Sequence, residues 1–149
     1  MMGDAGFTLV EVVTVVVVIG IAAAVAGPAL RPGPRESAGA AARALRATYD
    51  DARSLAARRG VPVVVVLETS TDSFAVFAEP EGAPREVVVS GRLPLPAGGA
   101  VTGGHGGRAE ARFTPLGRAR ADVVTLVDEG GRHVVSVEPM TGTVRRDRR

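Results

Sequence analysis

The chain has 149 residues, enough for one globular domain beside a short N-terminal segment, and no stretch repeats at the period of a solenoid. It contains no cysteine, which excludes a disulfide framework, a thiol nucleophile and a cysteine-based zinc site. All eighteen basic residues are arginine, and the formal charge of +2 is too small to indicate a nucleic-acid partner by itself.

The segment 7–30 is apolar except for Thr8, Glu11 and Thr14. About 20 such residues are enough to cross the hydrocarbon core of a bilayer as a helix, so the sequence predicts a transmembrane helix here. Glu11 stands near the start of that helix, where a carboxylate is costly unless it has a partner. Its position therefore requires an explanation.

The residues alone leave two explanations of this segment open. One is a single-pass anchor in which the Glu11 side chain reaches the membrane interface. A second is a secretory signal peptide cut after Ala26, because Ala24 and Ala26 satisfy the small-x-small rule, although residues 1–6 carry no positive charge.

A Pro/Gly-rich break is predicted at 31–36, because Pro32 and Pro34 remove backbone donors and disfavour helix in the residue before each. An amphipathic helix is predicted over 37–59, and Gly60 is a natural left-handed stop. Its apolar stripe is made of Ala38, Ala41, Ala42, Leu45, Tyr49, Ala52, Leu55 and Ala56.

After Gly60 the pattern changes to alternation and short apolar runs, which predicts an antiparallel β domain over 61–146. The predicted strands are VPVVVVLE, SFAVFAE, EVVVSGRL, EARFT, DVVTLVD, RHVVSVE and TVRR. DEGG, starting at Asp128, predicts a hairpin, and 98–107 is predicted to be a loose loop. The fold class is therefore α+β: a long N-terminal helix, transmembrane and then amphipathic, packed on an antiparallel β-sheet head at 37–149.

The hexapeptide GFTLVE at 6–11, followed by an apolar helix, resembles the processing site of type IV prepilins and type II secretion pseudopilins. The resemblance adds a third explanation of the apolar segment, an assembly helix processed at its start. It implies that 1–6 is a leader, that prepilin peptidase cuts between Gly6 and Phe7, and that Phe7 is then N-methylated. It also implies a partner for Glu11, namely the new N-terminal ammonium of a neighbouring subunit. Such a pair offsets the desolvation of the carboxylate and sets the stagger between subunits.

Three further segments, DDARSLAARRGVPVVVVLE, ARFTPLGRA and GTVRR, are similar to the GspH/FimT branch of that family. The resemblance implies a minor pseudopilin of a type II secretion system, with an inner-membrane anchor and a periplasmic head. Its expected partners are the peptidase, the major and other minor pseudopilins, and secreted cargo. The alternative is a FimT-like minor pilin of a type IV pilus, which binds DNA during uptake.

The DNA alternative depends on the basic tail at 145–149, which contains Arg145, Arg146, Arg148 and Arg149. Clustered arginines engage phosphates through charge-assisted contacts. The competing interpretation is a solvated end in an arginine-rich chain. No aromatic residue lies between the arginines, so stacking on bases is not expected.

The sequence contains no constellation typical of an enzyme. His105 lies among glycines and His133 in a predicted strand, and neither has a metal partner at ligand spacing. Ser37, Ser54 and Ser90 have no nucleophile-elbow context. We therefore expect a non-enzymatic protein without a metal or other cofactor.

Overall fold

The structure, a computed structural model, describes residues 37–148. The predicted leader at 1–6, the membrane helix at 7–30, the break at 31–36 and Arg149 lie outside the described residues. The described part contains one helix followed by nine strands in two antiparallel sheets. The predicted α+β class, with a helix packed on antiparallel sheet, is confirmed.

Helix α1 spans Ala38–Arg59, and residues at both of its ends explain its length. Ser37 is extended, and its hydroxyl accepts a hydrogen bond from the Ala40 amide at 3.0 Å, as an N-cap does. Gly60 adopts a left-handed conformation with φ 68°, and its amide donates to the Ala56 carbonyl at 3.0 Å. The helix therefore begins one residue after the predicted start, because Ser37 caps it.

The strands fall into two sheets. Their bounds are β1 Val63–Glu68, β2 Ser73–Ala78, β3 Glu86–Arg92, β4 Ala100–Gly103, β5 Arg108–Phe113, β6 Ala119–Ala121, β7 Val124–Asp128, β8 Gly131–Val137 and β9 Val144–Arg148. The first sheet has the order β3-β2-β1-β5-β6 and the second the order β4-β7-β8-β9. Strands β3 and β9 are thus edge strands of different sheets.

The sequence pattern does not predict strands β4 and β6, and the prediction of a loose loop at 98–107 is wrong. Strand β4 occupies part of that region, and the rest is a tight hairpin in which the His105 and Arg108 amides and carbonyls pair. Gly106 and Gly107, with φ 62° and 80°, supply the positive dihedral angles that such a turn requires. Strand β6 has three residues, too few for an alternation to be recognised.

The core lies between α1 and the two sheets. The small residues of the predicted stripe let the helix approach the sheets closely. Every residue of the stripe is buried except Leu55, which is half-buried. The two largest buried side chains, Tyr49 of α1 and Phe113 of β5, are tilted at 60° with ring centroids 5.8 Å apart. An aromatic pair in this geometry stabilises the fold by more than its buried area alone would.

Candidate functional site

The predicted processing and assembly residues Gly6, Phe7 and Glu11 lie outside the described residues, as does Arg149 of the predicted tail. The other three tail arginines are not in a loose end. They belong to β9, which continues to Arg148 and pairs with β8.

The register of β9 divides these arginines between the two faces of the sheet. Arg146 lies opposite Val135, a fully buried residue, and Arg148 lies opposite His133. Because successive side chains of a strand point to opposite faces, Arg146 and Arg148 share the face that meets α1, and Arg145 is on the other face. The predicted cluster of four is therefore not a single patch.

Arg145 on the outer face already has a partner. Its guanidinium lies 3.2 Å from the Glu138 carboxylate, and the two side chains are 69% and 40% exposed. An exposed pair of this kind contributes about 0 to 1 kcal/mol. The Glu138 carboxylate also partly neutralises the charge that Arg145 could offer to a phosphate.

Arg146, Arg148 and Arg43 of α1 are the three cations whose charges act on His133, and we call these four residues the basic seam. None of its three arginines lies within 4.0 Å of a carboxylate in residues 37–148. The Arg148 guanidinium donates to the Gly130 carbonyl at 3.3 Å. The sequence pattern does not predict that Arg43 belongs to this group, because Arg43 is about a hundred residues from β9 in the chain and approaches it only in the fold.

His133 lies against the first turn of α1. A Cβ atom at Gly39 would be 3.2 Å from its Nε2, so the glycine allows the ring to approach the helix. Its Nδ1 is buried and has no hydrogen-bond partner in the described part of the chain. Burial lowers the pKa of His133, the nearby Arg146, Arg148 and Arg43 lower it further, and Asp128 opposes them. The imidazole is therefore neutral near pH 7.

Asp128, in the β7–β8 hairpin, contacts the N-terminus of α1. Its Oδ2 accepts a hydrogen bond from the Ala38 amide at 2.6 Å, and its Oδ1 accepts one from the Gly130 amide at 2.8 Å. The bond from Ala38 is the main reason that the pKa of Asp128 is lowered. A carboxylate at this position also complements the positive end of the helix dipole.

We expect the head to lose thermal stability as the pH falls from about 7.5 to about 5. The folded state binds a proton at His133 less readily than the unfolded chain, so this loss begins near the ordinary pKa of 6.5 and is absent above it. The pH range stays above that in which the Asp128 carboxylate titrates.

Thermal melting of residues 37–149 at several pH values measures the effect. His133→Gln should flatten the dependence, whereas His105→Gln, at an exposed turn residue, should leave it unchanged. A wild-type melting temperature that is constant over this range would contradict the role of His133.

Residues 37–148 contain no group of three or more His, Asp or Glu side chains placed to hold a metal ion. In the same range, no helix is both long and apolar enough to cross a membrane.

A helix laid across antiparallel sheets, after an N-terminal apolar segment with a GFTLVE start, defines the pilin class of filament subunits. The head matches the family model described as type II transport protein GspH over residues 41–141. Residues 1–27 match the model of the prokaryotic N-terminal methylation motif. The chain belongs to the GspH family of pseudopilins and minor pilins, whose members are structural subunits and not enzymes.

The fold is also similar to that of the type IV minor pilin FimU of Pseudomonas aeruginosa strain PAO1, in two crystal forms. The P65 form gives a TM-score of 0.55 at 14% identity, covering 72% of this chain and 90% of that one. The P21 form gives 0.57 at 15% identity, covering 72% and 85%. At this identity the likeness concerns the fold. No curated protein matches the chain.

Proposed function

We propose that this GspH-family protein is a minor pseudopilin of a type II secretion system, a subunit of a short periplasmic filament. The observation that carries the proposal is the match of the head to the type II transport protein family, together with the methylation motif at 1–27. FimU, described as a type IV minor pilin, shares the fold at 14% identity, and this likeness does not distinguish between the two machines.

In this proposal the apolar segment 7–30 first holds the subunit in the inner membrane with the head in the periplasm. Prepilin peptidase removes 1–6 and methylates Phe7. The helix then leaves the lipid and packs among the helices of major and other minor pseudopilins, where Glu11 pairs with a neighbouring N-terminus. The head carries the surfaces that meet partner subunits and secreted cargo.

Deletion of the gene in its own host tests the choice of machine. Secretion of exoproteins should be lost and should return with the wild-type gene, while pilus-dependent motility and DNA uptake stay at wild-type levels. Normal secretion together with a defect in motility or uptake would assign the chain to a type IV pilus instead.

We expect the mature protein to begin at Phe7. Intact-mass analysis of the protein extracted from membranes should show the loss of MMGDAG and the gain of one methyl group, because GFTLVE supplies the glycine and the glutamate of the processing motif. Gly6→Val should leave the chain at full length. A mature form that begins at Gly27 would instead establish the signal-peptide explanation.

The basic seam favours a second candidate function, DNA binding during uptake. The charges of Arg43, Arg146 and Arg148 all act on His133, and none of the three is in an ion pair within the described residues, a combination that suits phosphate oxygens. Arg145 lies on the other face with Glu138, so the seam and not the whole tail would make the contact.

If the seam binds DNA, Arg146→Ala with Arg148→Ala should abolish binding, whereas Arg145→Ala should change it little. Each phosphate neutralised gives a slope of about −0.9 in log K against log salt, so three contacts cost about tenfold to a hundredfold in affinity between ~50 and ~200 mM salt. Gel shifts of the 37–149 fragment with a short duplex at the two salt concentrations measure this. Binding that is weak in wild type and insensitive to the double substitution would leave the seam a solvated surface.

A further inference from the structure

Strand β3 presents the longest free edge of the two sheets in residues 37–148. It pairs with β2 on one side only, and its seven residues include an uncharged middle, VVVSG, without proline. The edge strands β4 and β6 have four and three residues, and four of the five residues of β9 are charged. Short strands and charged side chains hinder pairing with another chain. The β3 edge is therefore the one best suited to receive a further strand.

Strand β3 also exposes apolar side chains along this edge. Val87 is 60% exposed and Val89 is 48% exposed. They are two of the six large hydrophobic residues that are exposed in the described part of the chain, and they lie two positions apart on one strand. Apolar side chains grouped on a surface often mark a contact with another protein.

A β-bulge directs two consecutive valines of β3 toward α1. Val76 of β2 is opposite Val89 and Phe77 is opposite Val87, so Val88 has no partner in β2. Val88 and Val89 both line a groove against the helix, although neighbours in a regular strand point to opposite faces. The bulge thus adds an apolar side chain beside the free edge.

The groove between α1 and β3 can hold apolar side chains of a partner, and we call it the α1–β3 groove. Its volume is about 320 Å³, roughly twice the ~150 Å³ of an apolar cavity that takes up benzene. In a strand added to a sheet edge, every second side chain points to the same face and is free to enter such a groove. Its apolar lining consists of Ala52, Leu55, Phe74, Val76, Val88 and Val89.

Two charges of α1 at the groove indicate what the partner carries. Asp51 and Arg58 both line it, and neither is in an ion pair within the described residues. They are about 10.5 Å apart along the helix axis, which an extended chain covers in about three residues. Arg59 is paired with Glu86 at the start of β3, so the Arg58 end of the groove lies beside that start. The complementary segment is extended and apolar, with a basic residue for Asp51 and an acidic residue for Arg58.

We propose that β3 pairs with an extended segment of a different filament subunit, whose apolar side chains enter the α1–β3 groove between the charges of Asp51 and Arg58. This rests on the proposed function as a minor subunit and assigns one surface through which it meets its neighbours. Backbone hydrogen bonds to β3 hold the segment, while the groove and the two charges select it.

A single added strand is a small contact, which favours a subunit over secreted cargo as the partner. Subunits anchored in the same membrane or filament meet at a high effective concentration, so a weak contact between their heads is enough. A secreted protein would have to bind from solution without that advantage.

Photo-crosslinking of the full-length chain in its own host tests the contact. Benzoylphenylalanine replaces Val87, beside the free edge, and Val89 is the second probe position in case the first variant does not fold. Irradiation is expected to give an adduct with another subunit of the filament. Mass spectrometry should map the adduct to a segment with alternating apolar residues, flanked by a basic and an acidic residue. The matched control carries the probe at Val123, which is 55% exposed between β6 and β7, and should give at least about tenfold less of this adduct.

A charge reversal distinguishes the groove from a chance neighbour. Asp51→Arg in the Val87 probe form should lower the yield of the adduct by at least about tenfold, because two cations would then face each other. Glu129→Arg, at an exposed turn residue, should leave the yield unchanged. An adduct that withstands Asp51→Arg would overturn the charge match.

Two other results would overturn the contact itself. One is a yield at the control level from both probe positions while the wild-type chain still co-purifies with other filament subunits, and this result leaves the proposed function standing. The other is an adduct with a second copy of this chain or with a protein outside the filament. Failure of the wild-type chain to co-purify with any filament subunit would count against the proposed function.

Discussion

Replacing Phe113 by alanine is expected to lower the free energy of unfolding of the head by about 3 to 5 kcal/mol. The side chain is 0% exposed, and its neighbours across the sheet are Val63 in β1 and Ala119 in β6. Its ring also packs on Tyr49 of α1. Since sheet and helix surround the site, the structure can collapse only partly into the space that the ring leaves.

Urea denaturation of residues 37–149 measures this loss. Val87→Ala on the edge strand β3, where the side chain is 60% exposed, is the matched control and should change stability by no more than about 0.5 kcal/mol. If Phe113→Ala cost less than about 1 kcal/mol, the Tyr49–Phe113 contact would not hold the helix on the sheet, and the core would have to depend on the valine strands alone.

Helix α1 could be predicted from sequence because its signals are local. The serine cap, the stripe of small residues and the terminal glycine all lie within one short segment and agree with one another. The hairpin at Asp128 could be predicted for the same reason, since its turn residues adjoin the two strands that they connect. Each signal could be read without knowing the rest of the fold.

Strands β4 and β6 could not be predicted, because backbone pairing with neighbours defines them more than their own side chains do. The residues of β4 are alanine, valine, threonine and glycine, and its pairing with β7 is what makes it a strand. Strand β6 is three residues long and pairs with the end of β5. Strand propensity depends strongly on context, so such segments look like loops in a single sequence.

The candidate site could be predicted only in part, for a related reason. A run of arginines identifies basic character, but which of them act together depends on register, and a shift of one residue exchanges the faces. Pairing of Arg146 with Val135 and of Arg148 with His133 fixes that register. The contribution of Arg43 arises from tertiary packing of α1 on β8 and β9, which no local pattern contains.

Replacing Glu11 by alanine is expected to reduce incorporation into the filament by at least about a hundredfold. In the proposed assembly its carboxylate pairs with the N-terminal ammonium of a neighbouring subunit, among helices and away from water. Removing one partner of a buried pair leaves the other charge uncompensated, at a cost of about 3 to 5 kcal/mol. Each 1.4 kcal/mol is about a factor of ten in an equilibrium constant, so the loss exceeds two decades.

The effect should be confined to assembly, because the partner of Glu11 is on another chain. Co-purification with the major pseudopilin measures incorporation, and the intact mass reports processing, which should stay normal. Glu11→Asp keeps the charge on a shorter side chain and should recover part of the loss, whereas Glu11→Gln should recover little, since a neutral amide does not compensate an ammonium. Equal co-purification of Glu11→Ala and wild type would remove the charge pair and would favour the plain membrane anchor, in which Glu11 only reaches the interface.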